Sequence, residues 1–167
     1  LADGGVRLQF GDGTSASGSV AGMVTNNATV TYSFNNAATV YNSLSGAGRV
    51  NFVNTSTSSK KFLMGASPTA LTNSGFSGFI DIGPLVCLAT PDMANGTQFG
   101  VGSTVYVEDT GSVYLDRAGT YACTFYIQGA GNGSGSAGTP VTMEIEGIGA
   151  PTTVTGDVFV LSSATYS

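Results

Sequence analysis

Short stretches of alternating apolar and polar residues, separated by Gly, Asn and Ser, run the length of the chain. They predict strands near 20–25, 28–35, 38–41, 48–54, 60–64, 78–90, 103–108, 111–115, 119–128, 140–147 and 152–162. β-Branched and aromatic residues fill these stretches, as strands with one buried face require. No window sustains a helical period, and one short helical turn near 65–75 is the most that the pattern allows. Many short strands joined by Gly-rich turns predict an all-β fold: a single β-sandwich or jelly-roll-like domain, with no internal repeat.

The cleanest alternation lies at the start. In VRLQF (6–10), Val6, Leu8 and Phe10 share one face and Arg7 and Gln9 the other. Residues 11–19 follow with no apolar side chain larger than Ala. The chain therefore divides into an N-terminal strand with a Gly/Ser-rich leash (1–19) and a sandwich body (20–167). Such a strand can fold back onto its own sheet or add to a neighbour's. Burying Val6, Leu8 and Phe10 contributes roughly 5–9 kcal/mol, and ordering five residues costs about 5–10 kcal/mol. The balance is similar in cis and in trans, so loop geometry and an open groove decide. Donation to a neighbour leaves no exposed sheet edge and builds an open, head-to-tail filament.

Composition narrows the function classes. Only 9% of the 167 residues are charged, against about 25% in an average soluble protein. Gly, Ser, Thr and Asn make up 75 residues, so hydroxyls and amides do the solubilising. Five basic against ten acidic residues give a net charge of −5, which leaves no cationic footprint for nucleic acid. His is absent, so a His-dependent triad is excluded and zinc or acid–base chemistry is disfavoured. No apolar run reaches membrane-spanning length. The chain begins with Leu1 rather than Met, which fits a secreted protein whose export signal has been removed.

Cys87 and Cys123 both sit in apolar, strand-like stretches, and a disulfide between them is the expectation for an oxidising exterior. Two buried thiols are the alternative. Asn27, Asn54, Asn95 and Asn132 each begin an N-glycosylation pattern and lie in turn-like segments.

DGGVRLQFGDG (3–13) resembles the donor strand of chaperone–usher pilins, which also combine a Gly-rich tail, an alternating apolar strand and a following Gly. Tyr166 is similar to the aromatic end of those pilins. The cysteine positions depart from the pilin pattern. The Ser/Thr-rich, charge-poor body is similar to TasA-like fibre proteins and to archaeal thread and bundling-pilus subunits. The resemblance implies that Val6, Leu8 and Phe10 plug the groove of an adjacent copy.

Other motifs have simpler readings. DRAGTYAC (116–123) is close to the tyrosine corner of immunoglobulin domains, but the aspartate is one position out and the chain has no Trp. Gly133, Gly135 and Gly138 match a dinucleotide fingerprint, yet a strand follows them, not a helix. Glu108, Asp109 and Asp116, and Glu144 with Glu146, can bind Ca2+ or serve a glycosidase. No EF-hand spacing accompanies them, and solvated surface carboxylates are the plainer reading. Lys60 and Lys61 suit an exposed edge strand or a Lys–Asn or Lys–Asp isopeptide crosslink. No cofactor is implied.

The sequence thus points to a non-enzymatic, extracellular structural subunit. Copies of itself are its partners in a pilus-like filament serving adhesion, biofilm or cell–cell contact. A jelly-roll virion coat or decoration protein and a secreted carbohydrate-binding module are the alternatives.

Overall fold

Every strand pairing among the described residues is parallel. The structure, a computed structural model, describes residues 5–14, 20, 22–40, 43–64, 73, 75–90, 98–131 and 142–161. In chain order the strands are β1 (Arg7–Phe10), β2 (Met23–Thr25), β3 (Thr29–Phe34), β4 (Ala38–Val40), β5 (Ser43–Ser45), β6 (Arg49–Asn54) and β7 (Lys60–Met64). They continue as β8 (Phe79–Ile82), β9 (Val86–Ala89), β10 (Thr104–Val107), β11 (Ser112–Tyr121), β12 (Thr124–Gln128), β13 (Met143–Val154) and β14 (Val158–Leu161).

These strands form three walls. The first is seven strands wide, in the order β1-β3-β6-β8-β10-β12-β14. The second runs β13-β11-β9-β7-β4. The third begins with β2 and β5 and continues through a bridge from Gly46 to Phe76. Register shifts around Arg117 interrupt the pairing of β11 with β13, and only the first part of β11, Ser112 to Tyr114, also pairs with β9. The chain visits the walls in turn and then repeats one coil further on. This is the topology of a parallel β-solenoid, in which each coil touches only its neighbours. Parallel neighbours need a long crossover. Here the other walls supply it, where most parallel folds use a helix.

The all-β expectation holds, but the strands are coiled rather than paired as a sandwich or jelly roll. Both architectures alternate inward apolar and outward polar residues, so alternation alone does not separate them. A repeat does exist. Arg7, Thr29, Arg49, Phe79, Thr104 and Thr124 occupy one column of the first wall, 20 to 30 residues apart along the chain. The loops between walls vary too much in length for a fixed sequence period. The helical turn considered near 65–75 lies mostly outside the described residues.

The core is built of inward columns. On the first wall Leu8, Val30, Val50, Ile80, Val105, Phe125 and Val158 stack in one line, and Phe10, Tyr32, Phe52, Ile82, Val107, Ile127 and Val160 in the next. On the second wall Ala38, Phe62, Leu88, Val113 and Met143 face them. Phe10, Tyr32 and Phe52 stack ring on ring, with centroids 4.9 and 5.2 Å apart. Phe62 meets Phe52 edge-on from the opposite wall.

Asn and Gly make the corners. Buried Asn26 accepts from the Ala28 N–H at 3.1 Å and donates to the Arg49 carbonyl at 2.9 Å, tying one coil to the next. Buried Asn73 accepts from the Leu44 N–H and donates to the Gln98 carbonyl, at 2.7 and 2.6 Å, spanning three coils. Gly100 has φ +86°, and a Cβ there would fall 2.0 Å from the Phe76 carbonyl oxygen. Only Gly lets the adjacent coils approach this closely.

The Tyr32 hydroxyl is buried without a hydrogen-bond partner among the described residues, and burial pushes its phenol pKa up. Removing an unsatisfied buried hydroxyl while keeping the ring relieves a penalty of about 1–3 kcal/mol. Tyr32→Phe is therefore expected to stabilise the fold by about 1 kcal/mol. Loss of the ring in Phe52→Ala is expected to destabilise by about 3–5 kcal/mol. Chemical denaturation of the two variants checks both signs.

Candidate functional site

β1 lies in its own sheet. It pairs in parallel with β3, Arg7 opposite Thr29 through Phe10 opposite Tyr32. Of Val6, Leu8 and Phe10, Phe10 is buried in the chain's own core, and Leu8 stands in the inward column beside it, while Val6 is exposed. A strand retained in cis is not available to plug a neighbour, so strand donation is not the arrangement this structure adopts. The geometry agrees: β2 on the third wall leads into β3, which lies directly alongside β1.

No disulfide joins Cys87 and Cys123. Cys87 lies between inward-facing Val86 and Leu88 and points away from the core, whereas Cys123 belongs to it. Both are buried free thiols. Burial pushes the Cys123 thiol up to about 12, partly offset by a hydrogen bond with Ser103. Such a thiol is inert at neutral pH.

The sequon asparagines have structural uses. Asn54 accepts from the Ser56 N–H and gives its Nδ2 hydrogens to the Ser58 and Leu85 carbonyls, both at 2.8 Å. A glycan on Asn54 would replace one of those hydrogens. Asn27 is exposed and accepts from the Ala47 N–H. Asn95, Asn132, Gly133, Gly135, Gly138 and Tyr166 lie outside the described residues. Lys60 and Lys61 are on β7, which has β4 and β9 on either side and is not an edge; Lys61 reaches over the Tyr114 ring, 5.3 Å from its centroid.

Among the described residues no three His, Cys, Asp or Glu side chains converge as a metal group. Glu146 instead accepts from the Tyr114 hydroxyl, and Glu144 stacks beside Tyr114 on the second wall. One carboxylate pair does form, which the sequence did not reveal because its members are 27 residues apart. Asp81 and Glu108 share a cleft of about 310 Å³ on the outer face of the first wall, with Asn51, Asn54, Pro84 and Leu85. Arg49 donates to Asn51 Oδ1 at 2.9 Å and pairs with Asp81 Oδ2 at 2.5 Å, while lying 4.8 Å over the Phe79 ring. Burial raises the Glu108 pKa above the ordinary carboxylate range. The Asp81 charge and a hydrogen bond to Asp81 raise it further, and Arg49 lowers it in part.

The largest feature lies at the two ends of the stack. Among the described residues eleven large apolar side chains are exposed. Val6, Leu8, Val20 and Met23 belong to the first coil, and Ile145, Val158, Phe159, Val160 and Leu161 to the last strands of the first and second walls. Only Val53 and Val101 lie between. Leu8 and Val158 occupy an inward column whose middle members are fully buried, yet they are 40% and 43% exposed because no further coil covers them among the described residues. Val160 is 80% exposed for the same reason. Solenoids that remain soluble alone close their ends with polar capping repeats, and neither end here carries one among the described residues.

A scan against protein-family models and searches of curated proteins and of solved structures returned no match. Among the described residues no helix is long and apolar enough to cross a membrane.

A raised Glu108 pKa means that the folded state favours the neutral carboxyl. The stability it contributes is present at acid pH and is lost as pH rises from the ordinary carboxylate value through the raised one. Glu108→Gln is expected to remove that fall while leaving stability at acid pH almost unchanged. Thermal midpoints of both proteins from about pH 3 to about pH 8, which spans carboxylate titration, check this.

Proposed function

We propose that this chain is the structural subunit of an extracellular filament, assembled head to tail from copies of itself. The observation that carries the reading is the concentration of exposed apolar side chains at the two ends of a parallel stack, nine of the eleven among the described residues. Both ends present an open sheet edge of the same strand polarity, and a second copy can continue the ladder at either one. The contact joins two different surfaces, so its repetition does not close into a dimer. This retains the homopolymer expected from the sequence and replaces strand donation with end-on stacking. The extracellular setting is carried by the composition, rich in hydroxyls and amides and poor in charge.

Magnitudes agree with reversible assembly. The exposed parts of Leu8, Val158, Phe159, Val160 and Leu161 would contribute roughly 4–7 kcal/mol on burial. Each added ladder bond contributes about 0.5–1.5 kcal/mol. Association costs about 4–15 kcal/mol. Gain and cost are of one size, so filaments form above a threshold concentration.

A carbohydrate-binding reading would need flat aromatic faces in the open. The outer rings of the first wall instead stack in pairs, Phe79 with Tyr106 at 6.4 Å and Tyr126 with Phe159 at 4.7 Å, and of these four only Phe159 is exposed. A closed virion shell would need a contact with a fixed rotation, whereas a ladder continued strand on strand propagates in line.

Val160→Asp places a carboxylate where the monomer is open to water and the assembly is closed. Wild type is expected to form unbranched filaments by negative-stain microscopy and to sediment with rising mass as concentration increases. Val160→Asp is expected to remain monomeric with an unchanged circular dichroism spectrum. Wild-type protein that stays monomeric at every concentration overturns the proposal.

A further inference from the structure

The register of the first wall specifies how two copies would meet. Arg7, Thr29, Arg49, Phe79, Thr104 and Thr124 form one outward column, coil above coil. Phe125 pairs with Val158, and the Phe125 N–H donates to the Asp157 carbonyl at 2.9 Å. Asp157 is therefore the column's last member, next to Thr124. One further coil in the same register would put Arg7 of the following copy directly against Asp157. Arg7 and Asp157 are both exposed, and their charges are opposite.

The neighbouring columns agree. The same step sets Val158 against Leu8 and Val160 against Phe10, inward apolar residue on inward apolar residue. It sets Phe159, one face of which is covered by Tyr126, against Gln9 on the outward side. A slip of one residue would turn every one of these matches to the wrong face.

Resting on the filament reading, we infer that β14 of one copy pairs in parallel with β1 of the next, and that Arg7 and Asp157 form an intermolecular ion pair that fixes register and polarity. The partner is a second copy of this chain. The apolar edges supply the attraction. The ion pair selects the register, since an exposed pair adds little affinity while two like charges in contact oppose assembly.

The test uses full-length Arg7→Glu and Asp157→Arg, separately and mixed in equal amounts. Alone, each variant brings like charges together at every contact, two carboxylates in the first and two guanidinium groups in the second. The concentration needed for filaments is expected to rise about tenfold or more. Mixed, the two alternate along the filament. One contact is then the native pair and the other the reversed pair, so assembly should return to near the wild-type threshold. Where equal ends meet, wild type itself would set like charges together, so head-to-head association predicts a mixture that assembles more readily than wild type instead of matching it. Circular dichroism of each variant confirms the fold. If wild type assembles but the single variants assemble equally well, or the mixture fails to restore assembly, the Arg7–Asp157 register is wrong and the filament reading stands. If wild type does not assemble, both fall, and the open edges are covered by another segment or a different protein.

Discussion

Parallel, in-register stacking is the constraint on which the rest of the structure depends. In such a ladder each residue sits about 4.8 Å from its equivalents in the coils above and below. A side chain is therefore judged less by its neighbours in sequence than by its column. Columns of Val, Ile and Phe suit the inward positions because branched and flat side chains pack on their own kind. Phe10, Tyr32 and Phe52 show the aromatic version, three rings in register along the stack. The same rule makes the ends special, because a column is satisfied only where another coil continues it. Leu8 and Val158 are chemically like their buried column-mates and differ from them only in position.

Much of the secondary structure was legible and the topology was not. The strand expected at 60–64 is β7, and those expected at 28–35 and 48–54 contain β3 and β6. The stretch at 78–90 is two strands, because Gly83, Pro84 and Leu85 turn a corner inside it, Leu85 with φ +59°. Alternation reports which face is buried and is silent on whether the next strand runs parallel or antiparallel. Coils of unequal length hide the repeat that would have decided the matter. The inward face of Leu8 and Phe10 was legible too, but not whose core it entered. Loop geometry settles that, and no periodicity encodes it.

The asparagines carry a similar lesson. Read as sequons, Asn27 and Asn54 point outward to glycans. In the structure their amides bracket turns, alongside Asn26 and Asn73. A short amide that both donates and accepts can satisfy the backbone groups that a corner leaves without ladder partners. An abundance of Asn between strands is then a signature of many corners.

The scarcity of charge follows from the same geometry. In a parallel in-register sheet, like charges in one column sit at ladder spacing along the whole stack and repel. Neutral Thr29 separates Arg7 from Arg49 in their column, and Phe79, Thr104 and Thr124 keep it neutral beyond. Where two carboxylates do come together, at Asp81 and Glu108, burial and then the Asp81 charge raise the Glu108 pKa, and an arginine pairs with Asp81. Low charge thus suits this fold as well as an extracellular setting. It also gives weight to the charges that remain at the ends. A column that avoids like charges within the chain, begins with Arg7 and ends with Asp157 obeys the same rule across the junction between copies. Either charge alone would be unremarkable on a surface; opposite signs at the two ends of one column are what a continuing stack demands.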